Sequence, residues 1–373
     1  MTKQFSYKLL LVALSLSVSG CAVFQPKDKK GTAQTSEKPE SKDKNGIKPY
    51  NKVITKDAKS DKGLFTVHKV EEKYFYEIPD SLINREMLTV TRIAKTATGI
   101  GFGGGKQNTE VHRWEKKNDN ILLRLVSHEI YAADSLPVHE AVVNSNFDPI
   151  IQSFAIKAIS KDSLNSSYVI DVTDLYTKDV QTLGLPDRTR KQYKVSRLDD
   201  SRSYIDTIRS YPENVEIRHV KTYNAGEPPS NASTGSISLE FSNSMILLPK
   251  VPMERRYFDQ RVGWFARGQT DYGLDAQESK TVRYLDRWRL EVKDEDIEKF
   301  KRGELVEPKK QIVYYVDRAT PKQWIPYIKQ GINDWQVAFE AAGFKNAIIA
   351  KDPPTKEEDP DWSPEDVRYS VVR

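Results

Sequence analysis

Apolar and polar residues alternate along much of the chain, the period-two pattern of strands with one buried face. Phe65-Thr66-Val67-His68-Lys69-Val70 alternates, as does Tyr74-Phe75-Tyr76-Glu77-Ile78. Pro79-Asp80-Ser81-Leu82 then turns the chain into a third strand, Met87–Ile93. Glu110–Trp114 and Asn120–Val126 flank Lys116-Lys117-Asn118-Asp119 and read as a hairpin. Further strands are expected at Phe154–Ile159, Ser167–Val172, Glu216–Tyr223 and Ser236–Leu248. Short helices are expected near Ser145–Phe154, Thr173–Leu183 and Asp294–Arg302. The pattern predicts a mixed, mostly β region over 64–290, divided into a small β unit at 64–95 and a β-rich domain with short helices at 96–290.

After Glu307-Pro308 the period changes. Ile312–Val316 is apolar on both faces, and Phe344–Ala350 reads as a second strand. Between them Trp324, Ile328, Ile332, Trp335, Phe339 and Ala342 share one side of a helix expected from about Trp324 to Ala342. Thr320 and Gln323 offer a capping box, Pro326 moves the start inward, and Gly343 suits the left-handed stop. The result is an incomplete α/β (β-α-β) unit over 308–373, which needs more sheet to cover its faces. The strand-like run Tyr369–Arg373 reads as a cut within an element.

The start of the chain has another character. Met1 to Lys8 carries two lysines and no acid, and Leu9 to Val18 is an apolar run too short to span a bilayer. It closes on Val18-Ser19-Gly20-Cys21, which resembles the lipobox of bacterial lipoproteins. The expectation is a signal peptide at 1–20, lipidation at Cys21, and attachment to a membrane, the outer membrane in particular, through that lipid. Cys21 is the sole cysteine, so no disulfide framework exists, and lipidation removes a thiol that would oxidise outside the cytosol. Residues 21–63 are rich in Lys, Asp, Glu, Ser, Thr and Pro and read as a flexible charged tether. Residues 22–63 hold eleven Lys and six acids; with the two lysines of the leader they leave 64–373 at a net −2, although the whole chain is +5. A basic footprint for nucleic acid is therefore not expected on the folded part.

Candidate chemistry is sparse. The five histidines are His68, His112, His128, His139 and His219, and none has a second His four residues on, as a zinc-peptidase helix requires. A site assembled from His112, His128 and His139 is the remaining zinc option. Gly99, Gly101 and Gly104 form a formal G-x-G-x-x-G, but a strand is expected after it where a phosphate cradle needs a helix N-terminus. Thr234-Gly235-Ser236-Ile237-Ser238 lacks the closing Gly of a nucleophile elbow. No catalytic residue and no metal ligand is assigned. The most unusual stretch is aromatic and basic, Arg255 to Phe265 followed by Thr270 to Gly273. Tyr257, Arg261, Trp264 and Tyr272 suit either stacking on a peptide or glycan or a seam between domains.

Gly63–His68, Ser210–Asn214, Ser244–Pro249 and Asp334–Phe344 resemble the zinc-dependent metallopeptidases of Bacteroidota lipoproteins. In that family two domains of unknown function precede a metzincin-type catalytic domain. The resemblance implies that Gln311–Arg373 opens such a domain and that the zinc motif H-E-x-x-H lies beyond it. It also implies zinc in the full-length parent, no cofactor in this chain, and a C-terminal catalytic domain as partner. Two functions stay open: the non-catalytic N-terminal portion of a membrane-tethered metallopeptidase, or a stand-alone surface lipoprotein that binds peptide or glycan.

Overall fold

The computed structural model describes residues 46–161, 165–230 and 232–373; the expected signal peptide, Cys21 and most of the tether lie outside the described residues. In chain order the first strands are β1 (Lys59–Lys62), β2 (Thr66–Val70), β3 (Lys73–Pro79), β4 (Glu86–Lys95), β5 (Gly105–Lys117) and β6 (Asn120–Val126). Then come β7 (Ile130–Tyr131), β8 (Ile150–Lys161), β9 (Ser166–Asp171), β10 (Val195–Leu198), β11 (Tyr204–Ser210), β12 (Asn214–Ala225) and β13 (Ser236–Leu247). The last are β14 (Ala266–Asp271), β15 (Lys280–Leu285), β16 (Ile312–Val316), β17 (Ile348–Lys351) and β18 (Ser370–Val372). The α-helices are α1 (Tyr50–Val53), α2 (Val138–Ser145), α3 (Thr173–Thr177), α4 (Asp187–Gln192), α5 (Ile297–Lys301), α6 (Ile325–Asn333) and α7 (Gln336–Ala341).

One antiparallel sheet dominates. Its order is β1-β2-β3-β9-β8-β6-β5-β4-β13-β12, with β10 and β11 sharing the far side of β12. The sheet curls until its ends almost close. Leu64 donates its N–H to the Tyr211 carbonyl at 2.7 Å, and the Ser210 hydroxyl donates to the Phe65 carbonyl at 2.7 Å. The Ser210 N–H donates to the Asp61 carboxylate at 2.9 Å. Gly63 permits this approach, because a Cβ there would stand 2.6 Å from the Ser210 backbone. Curling brings the inward side chains of distant strands together. Phe65 meets Tyr76 at 5.3 Å between ring centroids, and Trp114 meets Phe154 at 5.6 Å. Val67, Met87, Ile121, Ile170, Ile208, Val215 and Met245 complete this core, and α3 lowers Leu175 and Tyr176 into it. A second cluster, with Ile93, Tyr223, Leu239 and Phe241, fills more of the interior. Two smaller sheets stand apart, β15-β14-β7 and the parallel β17-β16-β18.

The mostly β reading holds, with three corrections of detail. The tether does not run to Gly63: α1 lies in 46–63, and β1 joins the sheet by pairing Lys59–Lys62 with Lys69–Thr66. The strands of 64–95 share one sheet with later ones, β4 pairing with β5 on one side and β13 on the other. The helix expected near Ser145–Phe154 is instead the end of α2 followed by β8. There the buried Phe154, Ile156 and Ala158 recur at period two and override the local helical pattern. The single helix expected over 324–342 breaks at Asp334-Trp335 into α6 and α7.

Candidate functional site

The aromatic-basic stretch lies along a satellite sheet: Tyr257 bridges to Tyr284 of β15, and Thr270-Asp271 ends β14. β14 pairs with β15 from Ala266↔Leu285 to Asp271↔Lys280, and β7 lies parallel to β14 on its other side. Gly268 leaves room for Thr281 across the pair, since a Cβ there would come within 3.1 Å of its methyl group. The Asp271 carboxylate accepts the Gly273 N–H at 2.8 Å, and Gly273 lies where a Cβ would strike Leu136. The spacing Asp271-Tyr272-Gly273 is thus a turn that docks the sheet on the loop before α2.

On this sheet the rings and cations form a stack. The Arg255 guanidinium lies 3.8 Å from the Tyr131 ring centroid and 5.1 Å from that of Tyr284, and it donates to Gln269 at 3.0 Å. Tyr257 stacks on the other neighbour, Tyr284, at 5.5 Å. Arg283 covers Phe258 at 4.0 Å. The order Tyr131–Arg255–Tyr284–Tyr257 sets the cation between two rings with a third stacked beyond them, and cation–π contacts contribute about 0.5–2 kcal/mol each. Of the four residues singled out by sequence, Tyr257 is 68% exposed and belongs to the stack. Trp264 is half exposed and donates its ring N–H to the Asp286 carbonyl at 2.6 Å. Arg261 turns back on Asp259, whose carboxyl it holds below the usual carboxylate range. Tyr272 is half exposed and donates its backbone N–H to Tyr131. The structure therefore gathers Tyr257 with Arg255, Tyr131 and Tyr284. Arg261 and Trp264 make their contacts elsewhere. Trp288, not one of the four, meets Tyr314 of β16 at 5.9 Å. Tyr131 and Tyr284 were beyond reach of the sequence, because only the pairing of β14 with β15 and with the distant β7 brings them to Arg255.

Beside the stack, an open hollow of about 360 Å³ lies between β7 and α2, lined by Ile130, Tyr131, Ala132, His139, Val142 and Val143 among others. His128 at its rim pairs with Glu86 at 3.0 Å, and that hydrogen bond raises the imidazole above its ordinary pKa. His139 donates through Nδ1 to the Ala132 carbonyl at 3.0 Å. The surface can offer flat rings, a cation and a short strand edge to an extended or aromatic ligand.

The zinc option built on three histidines does not fit. His112 is wholly buried in the closed sheet beside Thr89 at 2.8 Å, whereas His128 and His139 serve the contacts just described. Among the described residues, no three His, Cys, Asp or Glu side chains stand close enough to share a metal ion. The glycine loop leads into β5 and not a helix, so the geometry a phosphate cradle needs is not formed there. Among the described residues no helix is long and apolar enough to cross a membrane.

No curated protein and no solved structure matches the chain. Two family models do. One, Domain of unknown function (DUF5118), matches residues 47–96, from α1 through β4. The other matches residues 104–293, from β5 past β15, and so spans most of the closed sheet and the whole satellite strand pair. That match covers half of the chain, which therefore belongs to the family described as Domain of unknown function (DUF5117).

Proposed function

We propose that this chain is the non-catalytic front portion of a membrane-tethered zinc-dependent metallopeptidase, in which the closed sheet positions or shields the catalytic domain or recruits its substrate. The observation that carries this reading is the parallel unit of β16, β17 and β18. Parallel sheets in folded proteins are covered on both faces. Here α6 and α7 bury no residue and leave Trp324, Tyr327, Trp335 and Val337 exposed. Aromatic surface of that kind fits against further polypeptide. The resemblance of Asp334–Phe344 to the opening of a metzincin-type domain supplies the nature of that polypeptide. Zinc would be held by residues outside this chain, and none of its histidines is assigned to it. Cys21 and the residues after it would tether the assembly to the outer membrane.

The test is to read the locus beyond the Arg373 codon and express the whole frame. An in-frame H-E-x-x-H, one zinc per chain and chelator-sensitive peptide hydrolysis are expected; a frame without that motif overturns the proposal. A second reading, a stand-alone surface lipoprotein that binds peptide or glycan, draws on the exposed rings of Tyr257 and Trp264. It expects 46–373 to bind a peptide or glycan array with Trp264→Ala abolishing the signal, and an array that stays blank removes it.

A further inference from the structure

The outer face of β12 carries a second built contact, remote from the satellite sheet. The segment Ser363–Arg368, which leads into β18, lies across it. Asn214, wholly buried, holds the segment with both ends of its amide: Nδ2 donates to the Glu365 carbonyl at 2.9 Å, and Oδ1 accepts the Val367 N–H at 3.0 Å. A strand neighbour would offer the same donor and acceptor. Arg218 adds a 2.6 Å ion pair to the Glu365 carboxylate, and the Tyr211 hydroxyl donates to Ser363 at 3.0 Å. Asp366 is buried beneath its own bidentate bonds with Arg368.

Between Asn214 and Arg218 on the same face is Glu216, only 6% exposed. Its Oε1 accepts from Asn214 Nδ2 at 2.9 Å, so one amide group serves both Glu216 and the docked segment. The groups that face it are Ser244 from β13, Arg92 from β4, Asn214 from β12 itself, Glu365 from the docked segment, and Tyr211 from the turn before β12. Arg218 is committed to Glu365 and Glu240, and Arg368 to Asp366. Two carboxyls therefore share this contact; Arg218 serves Glu365, and the Arg92 charge favours the ionised Glu216 without outweighing its burial.

We propose that Ser363–Arg368 on β12 is a proton-dependent latch, closed most tightly when Glu216 is neutral and loosened when Glu216 ionises beneath Glu365. Burial, with the Glu365 charge adding to it, pushes the Glu216 carboxyl up to about 7. Once the segment lifts, water reaches Glu216 and its pKa returns toward the ordinary 4.5. Docking then takes up a proton between about pH 4.5 and 7, so the latch weakens across that window as pH rises and levels off above it. Through β18, the latch governs how firmly the parallel unit is held to the closed sheet.

Hydrogen exchange of residues 363–369 in the full chain, corrected for the intrinsic pH dependence of exchange, tests this. Protection is expected to fall about tenfold or more from pH 5 to 7 and to stay level from 7 to 8. Glu216→Gln should stay protected across the range with no slope. A flat wild-type profile, or a Glu216→Gln profile as steep as the wild type, overturns the latch. Should Glu216→Gln lose the sheet's circular dichroism, Glu365→Gln decides: a shallower slope supports the proposal and an unchanged one overturns it.

Discussion

Lys221 points inward from β12, wholly buried, and its ammonium donates to the Leu183 carbonyl at 3.3 Å. Burial pulls its pKa down to about 7 even though Asp179 opposes the shift. The unfolded chain keeps that proton up to the ordinary 10.5, so across the window from 7 to 10.5 the unfolded state binds more protons and stability rises with pH. Below about 7 both states are charged and the cost of burying the ammonium is borne in full. Lys221→Met is therefore expected to melt higher than the wild type at pH 7, with the gain shrinking toward pH 10 in calorimetry. A variant that melts lower at pH 7 would mean that Asp179 compensates the charge. Alternation places Ile217, His219, Lys221 and Tyr223 on one face of the strand predicted at Glu216–Tyr223. It does not say that this face is the inner one, because the other face carries Val220 and is itself covered in part. A lysine on a β-strand reads as solvent-facing until the sheet is seen to close over it.

At the scale of elements, the strands with strong alternation were legible, and β2, β3, β4, β6, β9 and β13 fall where the pattern predicts them. β7, β14 and β15 were not. Arg267-Gly268-Gln269-Thr270-Asp271 has no apolar period, and it becomes a strand because β15 and β7 satisfy its backbone on both sides. The same dependence makes the cation stack a test of the element. Arg255→Ala removes the group between Tyr131 and Tyr284, and about 1–2 kcal/mol of local stability is expected to go with it. Hydrogen exchange should then speed up in 266–271 and 280–285 while β12 and β13 stay unchanged. Equal acceleration in both regions would show that the satellite sheet and the closed sheet unfold as one. The division of the long helix into α6 and α7 had a signal in hindsight: Asn333-Asp334 is a poor helix interior.

For the whole molecule, the proposed tether makes one expectation. Cys21→Ser is expected to abolish lipid labelling and move the protein from the membrane fraction to the soluble one. Retention of the variant in washed membranes would mean that another part of the chain holds it there. The two matched families meet at the β4–β5 loop, yet β4 pairs with β5 across that boundary, so strands of both lie side by side in one sheet. The polar pattern alone settled the strongly alternating strands and where the chain changes to a β-α-β unit, because the period of burial is a local property of each segment. Only the tertiary structure decided that the ends of the sheet meet at Gly63 and Ser210, that α3 plugs the interior, and that Asn214 and Glu216 lie beneath Ser363–Arg368. Those outcomes depend on which strands pair across long loops. That choice is set by the fit of many inward side chains at once and by the cost of closing each loop, neither of which is carried by any one stretch of sequence.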